Sequence, residues 1–170
     1  VIRPKEVTLK WTNKSLTYNG RVQLPTLAIE GVVDGDTVNA TVIGGETNVG
    51  SYTATVTALD NSNYKLPAVV STNYNINKAQ LTIPTAKEDT FTYNGTLKTF
   101  IMNNFDSVTM NWIGKTSAVD SGSYIVQISI KDKNNYEWTD SSIDDKSITY
   151  TINPGVLTIP TEKVATFVYN

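Results

Sequence analysis

The chain contains neither cysteine nor histidine among its 170 residues. The absence of cysteine excludes disulfide bonds, thiolate zinc sites and thiol redox chemistry. The absence of histidine removes the side chain that most often transfers protons at neutral pH and most often binds metals. Any catalysis would have to rest on carboxylates, lysine or tyrosine. We therefore expect a protein that is not an enzyme, with no catalytic residue, no bound metal and no cofactor.

The acidic side chains do not supply a catalytic pair either. Glycoside hydrolysis would need two acids that converge in one cleft. The acids are instead scattered, and most of them fall in segments that read as turns, where solvated charge is expected. Those that fall within the two copies include Asp34, Asp36, Glu46, Asp60, Asp106, Asp120, Asp132 and Asp140.

Neither sign of charge predominates in the chain. The chain has 14 basic and 16 acidic residues, a net charge of −2, and the two signs are interspersed. Nucleic-acid binding needs a clustered basic surface, so we expect no nucleic-acid partner. There is no run of about 18 apolar residues, and we expect no membrane insertion in this segment.

Helical periodicity is absent, and a period of two takes its place. Segment 51–59 alternates apolar residues with threonines, and segment 124–131 alternates in the same way. Such alternation predicts antiparallel strands with one buried face. Two further sets share one face each by the same pattern: Val38, Ala40 and Val42, and Val108, Met110 and Trp112.

Turn signals divide these runs into short strands. Asn19-Gly20 and Asn94-Gly95 predict tight hairpins, because glycine and asparagine tolerate positive φ angles. A turn every eight to twelve residues is typical of a β-sandwich. We predict strands in the first half near 6–11, 15–19, 22–30, 37–43, 51–59 and 70–77.

The sequence repeats itself with a period of about 75 residues. The matched segments are Thr17–Gly20 with Thr92–Gly95, Gly50–Tyr52 with Gly122–Tyr124, Asn63–Tyr64 with Asn135–Tyr136, Tyr74–Asn77 with Tyr150–Asn153, and Leu81–Thr85 with Leu157–Thr161. We therefore predict a first copy at 1–79, a second copy at 80–155 and the truncated start of a third at 156–170. Since the chain opens on Val1 and the third copy breaks off, we interpret it as a piece of a longer array.

One motif carries a resemblance to a known fold. Asp120–Val126 is similar to the tyrosine corner of immunoglobulin-like domains, and Asn48–Ala54 is the version in the first copy. With the cadence of the repeated segments, the chain resembles the bacterial Ig-like and MBG-type repeats of secreted and surface-anchored proteins. The resemblance implies an all-β fold of two tandem Ig-like β-sandwich modules without the inter-sheet disulfide. A β-grasp fold is the alternative, and it would need a helix.

The three tryptophans are the candidate sugar-stacking residues. Alignment of the copies pairs Trp112 with Val42 and Trp138 with Leu66, and an aromatic that replaces an aliphatic residue is expected in the core. Trp11 pairs with Thr85. It is expected either at the edge of the first copy, against whatever precedes Val1, or exposed.

Three other features are candidate sites. The loops 60–63 and 132–135 offer oxygen ligands, but too few for calcium, so we expect plain turns. The insertion 140–146 is expected to be a solvated loop on which binding could be placed. An isopeptide bond would need Lys10, a buried acid, and either Asn75 or Asn77. The sequence identifies no such acid.

The function expected from these patterns is structural. The chain would be a non-catalytic spacer repeat of a bacterial cell-surface or secreted protein, and it would hold other domains away from the cell. The alternative is an adhesin module that binds host glycoprotein or polysaccharide. We expect an extracellular, cell wall-associated monomer whose contacts are neighbouring repeats of the same chain, with host glycans or glycoproteins as the candidate ligands.

Overall fold

The computed structural model describes residues 3–162 and 169, and within them the protein is all-β with a sandwich-type arrangement. The fold class predicted from the alternating pattern is confirmed at this level. No helix occurs among these residues. The β-grasp alternative needed a helix, so the described residues do not adopt it.

Of the eight strands up to the end of the first copy, β6 has ten residues and the others have two to seven. They are β1 (Lys5–Glu6), β2 (Thr8–Thr12), β3 (Ser15–Thr17), β4 (Thr26–Glu30), β5 (Ala40–Ile43), β6 (Gly50–Leu59), β7 (Tyr64–Lys65) and β8 (Ser71–Asn77). The strands that follow have similar lengths. They are β9 (Ala79–Leu81), β10 (Thr85–Ala86), β11 (Thr90–Thr92), β12 (Lys98–Thr99), β13 (Met102–Asn103), β14 (Met110–Gly114), β15 (Ser117–Ala118), β16 (Gly122–Ile130), β17 (Tyr136–Trp138) and β18 (Lys146–Asn153).

Two four-stranded sheets have the same construction. Their strand orders are β3-β8-β6-β5 and β11-β18-β16-β14. In each sheet the two long central strands are antiparallel, and a short first strand lies parallel to the last strand. Two-stranded pairs complete the layers: β1-β7, β2-β4, β9-β17, β10-β13 and β12-β15.

The chain divides into two compact units. One comprises Val1–Ile83 with Ile130–Asp144, and the other comprises Pro84–Ser129 with Asp145–Asn170. Segment 130–144, which the sequence matches place in the second copy, therefore packs with residues of the first copy. We call them the first and the second unit.

Each unit has an aromatic core. In the first unit Tyr74, Ile76 and Ala54 are buried on the four-stranded sheet, and Trp11 from the β2-β4 pair packs against them. In the second unit the Phe100 ring stacks on the Tyr150 ring, with centroids 4.6 Å apart and planes at 9°. Such an aromatic pair contributes about 1 kcal/mol beyond the area that it buries.

The alternation predicted for the long strands is confirmed over most of their length, but Ala58, which it places on the buried face of β6, is exposed where a bulge shifts the register with β5. Ala54 and Val56 of β6 are buried, and so are Val126, Ile128 and Ile130 of β16. The face predicted to be shared by Val38, Ala40 and Val42 is confirmed in the first unit, where all three are partly buried. The face predicted for Val108, Met110 and Trp112 fails in part in the second unit. Met110 is buried, but Val108 lies in the turn before β14 and is 79% exposed.

The predicted hairpins are wrong, although the turns exist. Gly20 and Gly95 have φ angles of 74° and 76°. The strands on either side of Asn19-Gly20, β3 and β4, pair with β8 and β2 and not with each other. The asparagine side chain makes the turn instead, since Asn19 Oδ1 accepts from the Arg21 N–H at 3.0 Å.

Candidate functional site

The tyrosine corners formed as expected. The Tyr124 hydroxyl donates to the Asp120 carbonyl at 2.8 Å, and the Tyr52 hydroxyl donates to the Asn48 carbonyl at 3.0 Å. Each tyrosine lies near the start of a long strand, β6 or β16, and its hydroxyl group bonds to the backbone of the loop before that strand. The two loops, 48–49 and 120–121, are therefore held in place by a side chain of the adjacent sheet.

Asn135 is the one buried polar side chain among the described residues, with 7% of its surface exposed. Its Oδ1 accepts from the Val49 N–H at 2.9 Å. Its Nδ2 donates to Asn48 Oδ1 at 3.1 Å and to Asp132 Oδ2 at 2.8 Å. A buried amide with both ends bonded is favourable, whereas leaving these partners unsatisfied would cost about 1–3 kcal/mol.

Other contacts surround this amide within the first unit. The Tyr18 and Tyr136 rings meet edge to face, with centroids 5.2 Å apart and planes at 83°. The Lys78 Nζ donates to the Lys133 carbonyl at 2.7 Å. We call this set the Asn135 contact, and its residues are Tyr18, Asn48, Val49, Lys78 and Asp132–Tyr136.

The two Asp/Asn loops are held by their own side chains. The Asp132 carboxylate caps its turn and accepts from the Asn135 amide, which lowers the pKa of Asp132 below its ordinary value. The pKa of Asp60 is lowered because its carboxylate accepts from the backbone and the side chain of Asn39, both at 2.7 Å. No group of three or more metal-binding acids occurs in residues 3–162.

The tryptophans have three different environments. Trp138 is fully buried, as predicted, and its Nε1–H donates to the Asp144 carbonyl at 2.7 Å. Trp11 is partly buried against the core of the first unit, so it is not an exposed aromatic. The core prediction for Trp112 is wrong, since 43% of its surface is exposed. Its strand, β14, lies at the edge of the sheet, and an indole is much larger than the valine it aligns with.

Tyr64 closes the loop that contains Asp36. Its hydroxyl donates to Asp36 Oδ2 at 2.6 Å and accepts from the Val33 N–H at 3.0 Å. The hydrogen bond to Asp36 raises the pKa of Tyr64. The two hydrogen bonds fix the loop 33–36, and the Asp36 carboxylate serves there as a hydrogen-bond acceptor for Tyr64.

The residues considered for an isopeptide bond are otherwise engaged. The Lys10 Nζ pairs with Glu30 at 3.1 Å, and the Lys10 side chain is 61% exposed. The Asn77 amide donates to Ser15 Oγ at 2.8 Å and to the Leu16 carbonyl at 3.0 Å. Asn75 lies opposite Ser15 in the sheet. The buried acid–lysine–asparagine arrangement that the bond requires is not formed by these side chains.

The insertion after β17 folds back on Trp138. The backbone N–H of Trp138 donates to the Ser142 carbonyl, and the backbone N–H of Ser141 donates to the Trp138 carbonyl, both at 2.8 Å. With the indole bond to Asp144, this makes residues 139–144 a cap over a buried ring. Further along the chain, residues 156–162 are exposed and carry no strand. The rest of the predicted third copy lies outside the described residues, apart from Tyr169.

The chain matches no known protein-family model, and no curated protein is significantly similar to it. Residues 3–162 contain no helix that is long and apolar enough to cross a bilayer.

The sequence did not identify the Asn135 contact. The repeated Asn-Tyr pair predicts a turn residue at Asn135, as it does at Asn63. The only sequence signal for this contact is that the Asn-Tyr pair occurs twice, at residues 63–64 and 135–136, which indicates that the two copies can be compared for their contacts. Burial of one asparagine and exposure of the other could only come from the folded chain.

Proposed function

We propose that the protein is a non-catalytic structural spacer, a repeat of a bacterial cell-surface or secreted protein that holds other domains away from the cell. The observation that carries the proposal is the parallel pairing of the first and last strands of each four-stranded sheet. Ser15–Thr17 lie beside Asn75–Asn77, and Thr90–Thr92 lie beside Thr151–Asn153. Both tyrosine corners support the resemblance to Ig-like surface repeats.

Parallel terminal strands give a sheet a favourable geometry for bearing tension. A force that pulls the start of β11 away from the end of β18 slides the two strands past each other. All the hydrogen bonds between them are then loaded together, whereas bonds in a peeling geometry open one after another. A spacer under tension from a bound partner needs this property, and an enzyme domain does not.

Backbone hydrogen bonds extend both parallel pairs beyond the strand ends. In the first unit the Asn75 N–H donates to the Lys14 carbonyl at 2.8 Å, and the Tyr18 N–H donates to the Asn77 carbonyl at 2.9 Å. In the second unit the Thr151 N–H donates to the Asp89 carbonyl at 2.7 Å, and the Tyr93 N–H donates to the Asn153 carbonyl at 2.8 Å. Each terminal strand is thus bonded along its whole length.

Single-molecule force measurements test the proposal. The chain has no cysteine, so handles can be attached through introduced thiols at chosen residues. Attachment through Thr90→Cys and Asn153→Cys pulls β11 and β18 in shear. Attachment through Thr92→Cys and Asn153→Cys peels them apart, because these two residues lie opposite each other. Both geometries release nearly the same length, about 3.6 Å per residue.

We expect the shear geometry to need a several-fold higher unfolding force than the peeling geometry. The two variants differ by two residues in one attachment point, so their thermal unfolding provides the check that both are equally folded. Equal unfolding forces in the two geometries would contradict the spacer proposal.

A second function, binding of host glycoprotein or polysaccharide, is favoured by one observation. Trp112 exposes 43% of its surface on an edge strand, whereas the aligned Val42 is partly buried against the core of the first unit. An exposed indole presents a flat apolar face on which a sugar ring can stack. The other unit has no aromatic residue at that position.

A glycan-array and mucin screen of the chain and its Trp112→Ala variant tests this second function. Ile113→Ala is the matched control, since Ile113 is adjacent and 71% exposed. Saturable binding that Trp112→Ala abolishes and Ile113→Ala retains would place a sugar site at β14. Absence of binding at high protein concentration would leave the spacer as the better account.

A further inference from the structure

We infer that Asn19 is a site of spontaneous covalent modification, at which its side-chain amide is lost and the Asn19-Gly20 turn becomes isoaspartyl or aspartyl. Water is the only co-reactant, and no enzyme is needed. The matching turn in the second unit, Asn94-Gly95, reacts more slowly, because its side chain is held by more hydrogen bonds. The reaction is a property of these turns and is independent of the proposed function.

Glycine after the asparagine opens the path for the reaction. The attacking atom is the backbone nitrogen of the following residue, and a side chain on that residue obstructs its approach to the asparagine Cγ. In the whole sequence only Asn19 and Asn94 precede a glycine. Both turns are exposed, so that water and hydroxide reach the backbone. Apart from the adjacent residues, a Cβ added at Gly20 would come no closer than 3.9 Å to another atom, and one at Gly95 would meet nothing within 4 Å.

The chemical step conserves atoms and electrons. The Gly20 nitrogen loses its proton to hydroxide and attacks the Asn19 Cγ, so that a C–N bond forms and the Cγ–Nδ2 bond breaks. The Nδ2 takes a proton from water and leaves as ammonia, and residues 19 and 20 are then joined in a five-membered cyclic imide. Water opens the imide at either carbonyl. One opening gives aspartate, and the other gives isoaspartate, in which the main chain runs through the former side chain.

The leaving group of Asn19 is free to depart. Its Nδ2 makes no hydrogen bond within the part of the chain that the structure describes. Other exposed asparagines are held at this atom. The Nδ2 of Asn39 donates to Asp60 Oδ2 at 2.7 Å, and the Nδ2 of Asn77 donates to two oxygens of β3 at 2.8 and 3.0 Å. Asn39 and Asn77 must break these bonds before they react, and the residue that follows each of them carries a side chain.

The Asn94 turn differs from the Asn19 turn by one hydrogen bond. In both turns the asparagine Oδ1 accepts from the backbone N–H two residues further on, that of Arg21 at 3.0 Å and that of Thr96 at 3.1 Å. At Asn94 the Thr96 hydroxyl also donates to the same Oδ1, at 2.6 Å. The side chain must leave this arrangement before its Cγ can reach the glycine nitrogen. One additional net hydrogen bond lowers the population of the released side chain by roughly fivefold.

The Asn19 turn lies beside two contacts of the first unit. The backbone N–H of Tyr18 donates to the Asn77 carbonyl at 2.9 Å, which extends the pairing of β3 with β8, and the Tyr18 ring meets that of Tyr136. Asn19 is exposed with both contacts formed. Isoaspartate adds one carbon to the main chain between Tyr18 and Gly20, and it turns the Oδ1 acceptor of the turn into a main-chain carbonyl. The conversion therefore loosens the first unit at this turn, and the converted fraction rises with the age of the molecule.

Peptide mapping of the full chain tests the inference. The protein is incubated in mildly alkaline buffer, and samples are digested with trypsin. Aspartyl, isoaspartyl and unmodified peptides are then separated and identified by mass spectrometry. Trypsin isolates Asn19 in the peptide 15–21 and Asn94 in the peptide 88–98. The same incubation in urea gives the rates for the unfolded chain.

We expect Asn19 to be modified faster than any other asparagine of the folded protein, and several-fold faster than Asn94. The two rates should approach each other in urea, where neither turn is formed. An unmodified Asn19, or another asparagine that reacts faster, overturns the inference. A ratio of the two rates that is the same in urea and in buffer overturns the part assigned to the fold.

Two variants separate the effect of the glycine from that of the hydrogen bond. Gly20→Ala should slow the reaction at Asn19 several-fold and leave Asn94 unchanged, and circular dichroism checks its folding because Gly20 has a φ angle of 74°. Thr96→Val removes the hydroxyl that binds Asn94 Oδ1 and should raise the rate at Asn94 several-fold, with Asn19 in the same molecule as the unchanged reference. A parent rate at Asn19 in Gly20→Ala overturns the assigned attacking atom. A rate at Asn94 that Thr96→Val leaves unchanged or lowers overturns the role of that hydrogen bond.

Discussion

At the scale of single residues, the same asparagine motif has two environments. Asn135 is buried and bonded through both ends of its amide, and Asn63 is exposed. The same side chain in the same Asp-x-x-Asn-Tyr pattern should therefore differ in what it contributes to stability. The difference isolates the effect of the surroundings from that of the turn.

We predict that Asn135→Ala lowers the free energy of unfolding by about 1–3 kcal/mol, because the Val49 N–H and the Asp132 carboxylate lose a buried partner. Asn63→Ala, its matched control, should change stability by less than about 0.5 kcal/mol. Urea unfolding followed by circular dichroism measures both. Equal losses in the two variants would mean that the turn, and not the buried amide, is what each asparagine stabilises.

The stability of the first unit should depend on pH through Asp132. Hydrogen bonds from Asn135 hold the pKa of this carboxyl below its ordinary value of 3.8. A depressed folded pKa stabilises the fold above the unfolded pKa, and that stabilisation is lost as the pH falls through the folded value.

We therefore predict that Asp132→Asn is less stable than the parent chain near pH 6, and that the gap closes below about pH 3.8. Thermal unfolding across this range measures the gap. Asp34→Asn, at an exposed turn position, serves as the control and should show a smaller gap. A gap that stays constant down to pH 2 would exclude the carboxylate as its source.

At the scale of strands and turns, one glycine ends the edge strand of each four-stranded sheet. Gly44 and Gly114 have φ angles of 91° and 128°, and a Cβ at either would collide with a carbonyl oxygen of the neighbouring strand, that of Thr53 or Ile125. Gly35 has a similar φ of 88°, but a Cβ there would meet nothing within 4 Å. The two cases separate backbone strain from crowding.

Gly114→Ala should destabilise the second unit by more than the roughly 1–2 kcal/mol that a positive φ alone costs, because the edge strand must also move away from β16. Gly35→Ala supplies the strain-only reference in the first unit. Thermal unfolding compares the two, and a loss no larger in Gly114→Ala would show that the sheet edge yields freely.

The long strands could be predicted because their pattern is local. Each alternates apolar and polar residues over several positions, so the predicted buried face is correct up to Val56 in β6 and up to Ile130 in β16. The Tyr52 and Tyr124 corners were also predictable, since the motif and its hydrogen bond lie within four residues. Information that is local in the sequence was sufficient for both.

The pairing of strands was not predictable in the same way. Asn19-Gly20 fixes a turn, but nothing in it says that β3 joins β8 at the far end of the copy. The parallel strands β7 and β17 are two and three residues long, too short to show a period. The exposure of Trp112 follows from the edge position of β14, which no residue of that strand encodes.

At the scale of the whole molecule, the described chain combines two well-packed units with a bare segment. Residues 156–162 are exposed and form no strand, whereas β6 and β16 lie at the centres of their sheets. We predict that amide hydrogens of 156–162 exchange at nearly the rate of an unfolded peptide, while those of β6 and β16 exchange slowest. Hydrogen-exchange mass spectrometry measures this, and strong protection of 156–162 would mean that they pair with another strand.

The parallel pairing of β3 with β8 has a consequence for how the protein is made. A growing chain exposes β3 early, but its partner emerges only when Ser71–Asn77 have left the ribosome. Sheet closure therefore waits for the end of each copy, and pairing of such distant segments is slow. Until then β3 and β6 lack the strand that lies between them in the finished sheet. The last strand of this sheet to be synthesised is therefore the one that joins its first strand to the others.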